Sequence, residues 1–87
     1  IAKKDIYRRC KYIEFALNKV GNVAMALTYH KDSGFYSLSY KVGNEIKIWG
    51  ELKSGMTITV GRHPENNIQL LNGTVSKRHL EIVVGEK

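Results

Sequence analysis

The 87-residue chain contains one cysteine, Cys10, one proline, Pro64, and one tryptophan, Trp49. A single cysteine excludes an intrachain disulfide and any zinc site built from several thiolates. It fits a reducing, intracellular setting, cytoplasmic or nuclear. No uninterrupted apolar run approaches the roughly 20 residues of a membrane helix. The start of the sequence lacks the basic, apolar and small-residue sections of a secretory signal, so no membrane partner is expected. His30, His63 and His79 show no metal-ligand spacing, and no metal or other cofactor is expected. Ser76 has neither a Gly-x-Ser-x-Gly elbow nor a nearby acidic residue to orient a base, so a hydrolase is not expected.

Acidic residues are also few. Eight Asp and Glu stand against 14 Lys and Arg, a net charge of +6. The first 20 residues hold six of the basic side chains and two of the acidic ones. A basic balance favours anionic partners, which include nucleic acid, phosphorylated protein and membrane surfaces. It does not choose among them.

Apolar periodicity divides the chain. Ile6, Cys10, Ile13, Leu17 and Val20 are spaced four, three, four and three apart, which predicts a narrow helical stripe over residues 3–20. Asp5 is placed to cap its start and Gly21 to stop it. On that stripe Cys10 reads as a small buried hydrophobe. After Gly21 the period becomes two. Val23, Met25, Leu27 and Tyr29 alternate with smaller or polar residues, a pattern of strand type that Ala and Met would also allow in a helix. Tyr36 to Val42, Glu45 to Trp49, Met56 to Val60, Ile68 to Leu71 and Leu80 to Val84 are predicted strands. Lys31 to Gly34, Gly43-Asn44 and Lys53 to Gly55 are predicted turns. Seven of the eight glycines fall at or after residue 34, between these strands. Short strands at regular spacing argue for an all-β sandwich or barrel.

The informative stretch runs from Gly61 to Ile82. Arg62 leaves the end of a strand through a glycine, and its guanidinium can grip an oxyanion with two hydrogen bonds. Ser76 and Lys77 follow a loop and precede another strand. A serine hydroxyl, a backbone N–H and a lysine ammonium can all meet phosphate oxygens. Two loops at one end of a sandwich could join these groups into a dianion site of Arg62, Ser76 and Lys77.

Gly61-Arg62, then Asn67-Ile68-Gln69-Leu70, then Ser76-Lys77-Arg78-His79 before Leu80-Glu81-Ile82 resembles the forkhead-associated (FHA) domain. The resemblance spans about residues 35–87. It implies the first half of an eleven-stranded β-sandwich that binds phosphothreonine peptides without catalysis. By the same resemblance, Arg62, Ser76 and Lys77 contact the phosphate. Gly61 and His79 support the binding loops, and Asn72, Gly73 and Thr74 line the peptide groove. Asn72-Gly73-Thr74 also matches a glycosylation sequon, but reads as loop.

The expected fold is therefore mainly β, a partial FHA-like sandwich with an additional N-terminal α-helix. Residues 1–34 form an extension holding the helix and one further strand, and residues 35–87 form the half-sandwich. The family's later Asn-Gly segment, which holds the bound peptide's main chain, has no counterpart here. A half-sandwich leaves unpaired edges and an apolar face. Three explanations are open: the sequence is a fragment of a longer protein, a second chain or swapped copy supplies strands, or the helix covers the sheet. The leading functional expectation is a phosphothreonine-dependent module of a larger signalling or scaffold protein. The alternatives are an assembly domain without phosphate binding, with the stripe from Ile6 to Val20 docking on a partner, and nucleic-acid binding through Arg8, Arg9 and Lys11.

Overall fold

The computed structural model describes residues 2–7 and 11–85. Its eight strands are β1 (Ala2–Ile6), β2 (Tyr12–Ala16), β3 (Val23–His30), β4 (Phe35–Val42), β5 (Glu45–Leu52), β6 (Thr57–Gly61), β7 (Ile68–Gln69) and β8 (Leu80–Val84). They form two four-stranded sheets, in the orders β1-β8-β6-β7 and β2-β3-β4-β5.

The helix expected over residues 3–20 is not formed; β1 and β2 occupy that stretch instead. The helical spacing concealed a second pattern. Ile13 and Phe15 alternate with Tyr12, Glu14 and Ala16, and the first pair packs against the core. Aromatic and β-branched residues suit a pleated, half-buried surface, and pairing with β3 settles the choice. The stripe is dismantled accordingly. Ile6 and Leu17 are buried, and Val20 is 79% exposed in the following turn. Among the described residues the stripe no longer forms one exposed apolar face, and the basic-helix route to nucleic acid loses its helix. Cys10, Arg8 and Arg9 lie outside the described residues.

The alternation after Gly21 places the core. Val23, Met25 and Leu27 of β3, with Tyr36 and Leu38 of β4, face Ile58 and Val60 of β6, Ile82 and Val84 of β8, and Ile6 of β1. Residues on alternate positions of a strand share a face, so each strand gives one row to this layer. The turns fall where glycine permits them: Gly34 and Gly43 have φ of 74° and 62°, a region other residues enter at a cost. Trp49 sits at an irregularity where the register jumps from Leu38↔Gly50 to Ser39↔Ile48, and it is half-buried against the core.

β1 lies parallel to β8 at one edge. Lys4 shares the inward row with Ala2 and Ile6, and its ammonium lies 4.9 Å from the Phe15 ring centroid. An inward lysine at an edge strand discourages further strand pairing, and the ring gives its charge a partner. Tyr7, just past β1, accepts a hydrogen bond at its carbonyl from the Tyr36 hydroxyl, which ties this edge to the opposite sheet.

Candidate functional site

The topology brings two loops together. β8 runs antiparallel to β6, with Val60 opposite Leu80, so the end of β6 and the start of β8 share one end of the sandwich. Residues 62–67 leave β6 there. Residues 70–79 return there from β7 to β8.

Backbone hydrogen bonds lock the two loops side by side. Arg62 N–H donates to the Ser76 carbonyl at 3.0 Å, and His63 N–H donates to the Lys77 carbonyl at 3.1 Å. The only buried polar side chain among the described residues, Asn66, adds a latch. Its Nδ2 donates to the His63 carbonyl within its own loop and to the Lys77 carbonyl across the gap, both at 2.8 Å. Gly61 permits this approach. A β-carbon there would come within 2.8 Å of Asn66 Nδ2 and 2.9 Å of the Lys77 carbonyl carbon. Its requirement is steric, because its φ is not positive.

Arg62 is exposed. Its Nε donates to the Val75 carbonyl at 3.2 Å, which lays the side chain along the second loop. Its carbonyl accepts from Gln69 Nε2 at 3.2 Å. Among the described residues the two Nη groups make no hydrogen bond or ion pair, so the outer fork of the guanidinium is open to a ligand. Ser76 and Lys77 are exposed beside it. Lys77 likewise has no ion pair among the described residues. Arg78 differs: its Nη2 lies 3.3 Å from Glu65 Oε2, so part of its charge is spent within the site.

His79 is half-buried, and its Nδ1 accepts the Ser76 backbone N–H at 3.1 Å. An acceptor Nδ1 requires the neutral ring with its proton on Nε2. The ring therefore addresses the main chain of Ser76. Asn72 and Thr74 shape the rest of the loop. Asn72 Oδ1 accepts from the Thr74 N–H at 2.9 Å and from its hydroxyl at 2.5 Å, a side-chain mimic of a turn. Gly73 stands exposed at its tip. Val75, buried, pins the loop to the core.

Two contributors escaped sequence reading. Asn66 is one asparagine in a polar run, and burial alone marks it. Asn18 reaches from the β2–β3 turn to donate to the Thr74 hydroxyl at 2.9 Å. Its Oδ1 accepts the Gly21 N–H at 2.9 Å, as a turn-forming asparagine does. Reading residues 3–20 as a helix hid it.

Both loops lie within one segment of the chain. Residues 58–87 match the family model of the FHA domain. That match begins in β6 and takes in both loops and β8, a shorter span than the residues 35–87 over which the motifs suggested the family. FHA domains are a family of phosphopeptide-binding modules, generally without catalytic activity. No curated protein and no solved structure matches the chain.

Proposed function

We propose that this chain carries a phosphothreonine-dependent, non-catalytic protein-binding site formed by Arg62, Ser76 and Lys77, within a larger signalling or scaffold protein. One observation carries the reading. The Arg62 N–H to Ser76 carbonyl bond holds the two residues' backbones 3.0 Å apart, while the guanidinium fork stays open at the surface. A phosphorylated threonine brings about −1.5 to −2 charges and strong acceptor oxygens. Arg62 meets two of those oxygens as a fork. Ser76 donates its hydroxyl, and Lys77 adds a mobile point charge.

Gly61, Asn66 and His79 hold this arrangement without touching the phosphate. Gly61 admits the second loop, Asn66 latches it, and His79 fixes the Ser76 N–H. Thr74 and Gly73 form the wall over which the peptide's flanking residues pass. The partner is a protein or peptide containing phosphothreonine. Recognition by charge and hydrogen bonding needs no metal or cofactor.

Calorimetric titration with a degenerate phosphothreonine peptide pool tests this, with the unphosphorylated pool and the Arg62→Ala protein as controls. Binding is expected only with the phosphorylated pool, and Arg62→Ala is expected to abolish it with the far-UV spectrum unchanged. Equal affinity for both pools, or full affinity in a folded Arg62→Ala protein, rejects the assignment.

A further inference from the structure

The two outer faces of the sandwich differ in kind. On the β1-β8-β6 side, the outward rows hold Lys3, Asp5, Glu81, Thr57 and Thr59 with one apolar residue, Val83, a surface suited mostly to water. On the β2-β3-β4-β5 side, the outward rows are mostly apolar or small. Tyr12, Ile46 and Ile48 all lie on this one face, 58%, 72% and 82% exposed. Tyr12, Glu14, Ala24, Ala26, Ser39 and Ile46 border a shallow depression in its centre. Scattered exposed apolar residues need no explanation, but large ones gathered on one sheet face mark a contact surface.

The register identifies what fits there. Across the sheet, one row reads Ala16, Ala24, Lys41, Ile46, and the next reads Glu14, Ala26, Ser39, Ile48. In both rows the tall isoleucine stands on β5 and the small residues occupy β3. A two-fold axis parallel to the strands, midway between β3 and β4, lays β5 of one copy over β2 of another and β4 over β3. Ile46 then lands on Ala16, and Ser39 on Ala26. Ile48 lands on the aliphatic stem of Glu14, whose carboxylate is engaged by the Tyr12 hydroxyl at 2.5 Å. Lys41 lands on Ala24, one strand and one row from the opposing Glu14. Ile46 thus meets a small residue, and the lysine of these rows lies diagonally across from Glu14, while in the third outward row, Tyr12, Thr28, Ser37 and Glu51, the same axis sets Glu51 over the Tyr12 ring and Ser37 over Thr28. A two-fold interface requires such self-complementarity.

We propose that this chain forms a homodimer by face-to-face stacking of the β2-β3-β4-β5 sheets, with Ile46 and Ile48 as its apolar anchors and Lys41–Glu14 pairs at both sides of the axis. Sheets stacked this way sit about 10 Å apart, the distance at which opposing rows interdigitate. None of Arg62, Ser76 or Lys77 belongs to this face, so the dimer presents two anion-binding ends.

Sedimentation velocity over a wide concentration range, with the wild type and four variants, tests the proposal. The wild type is expected to sediment as a dimer that dissociates on dilution. Ile48→Glu is expected to weaken it by at least roughly 30-fold, the effect of replacing a large apolar anchor with a charge. Its far-UV spectrum should be unchanged, since Ile48 is exposed in the single chain; Ile46→Glu repeats the test if the spectrum does change. Lys41→Glu is expected to weaken the dimer, and adding Glu14→Lys to it is expected to restore most of the loss. A wild type that stays monomeric throughout overturns the proposal, as does a dimer indifferent to both isoleucine variants. Failure of the double charge reversal to rescue Lys41→Glu overturns the two-fold arrangement.

Discussion

Gly61→Ala separates steric necessity from backbone freedom at the centre of the candidate site. Gly61 ends β6 and is buried where the second loop crosses it. An added β-carbon would lie within 2.8 Å of Asn66 Nδ2 and press on the carbonyl of Lys77. Neither neighbour can yield freely. The Lys77 carbonyl is backbone and already accepts bonds from His63 N–H and Asn66 Nδ2. Overpacking of a close-packed site costs about 1–3 kcal/mol, and a weakened hydrogen bond about 1 more, so a loss of about 2–4 kcal/mol is expected. Urea unfolding followed by far-UV circular dichroism measures it as a lower midpoint at unchanged slope. Gly73→Ala is the matched control: Gly73 is exposed, its φ is not positive, and a β-carbon there meets nothing within 4 Å. That variant is expected to stay within about 0.5 kcal/mol of the wild type. Equal stability of the two variants would refute the argument that loop contact, rather than generic flexibility, fixes glycine at position 61.

Three further expectations probe other parts of the structure. Asn66→Ala removes two bonds from a buried latch and should cost about 1–3 kcal/mol in urea unfolding. It should also lower phosphopeptide affinity in calorimetry, while unchanged affinity would detach the latch from the site. Leu17→Ala should cost about 2–5 kcal/mol, because Leu17 is core and not the exposed stripe of a helix; a negligible shift of the urea midpoint would contradict that placement. The Glu14 carboxylate accepts a hydrogen bond from the Tyr12 hydroxyl, which raises the Tyr12 pKa above its ordinary value of 10.0. Ultraviolet titration of phenolate should find Tyr12 ionising at lower pH in Glu14→Gln than in the wild type.

The strands from Val23 onward were legible because alternation, glycine turns and β-branched residues agree there. Leu80–Val84 has the expected bounds, and Phe35–Val42 begins one residue earlier than the expected Tyr36. The first 20 residues misled because spacings of four and three satisfy a helix while Ile13 and Phe15 also satisfy a strand. Only pairing with β3 and β8 distinguishes them, and that pairing is nonlocal. At the site, the order Gly61-Arg62 and Ser76-Lys77 was visible as a motif. The latch from Asn66 and the brace from Asn18 were not. Each depends on a carbonyl or hydroxyl that comes close only after the sheets assemble, with Asn18 and Thr74 56 positions apart. The paired outer rows of Ile46 and Ile48 were readable as alternation, but which face they occupied was not.

Arg62, Ser76 and Lys77 are proposed to receive a phosphate together. Nuclear magnetic resonance of the 15N-labelled protein titrated with a phosphothreonine peptide reads each contributor directly. Saturable shifts are expected at Arg62 Nε and at the Ser76 and Lys77 amides, absent with the unphosphorylated peptide, and the two amide shifts are expected to be lost in Arg62→Ala. Phosphate-dependent shifts located elsewhere, with these three signals unmoved, would contradict that proposal.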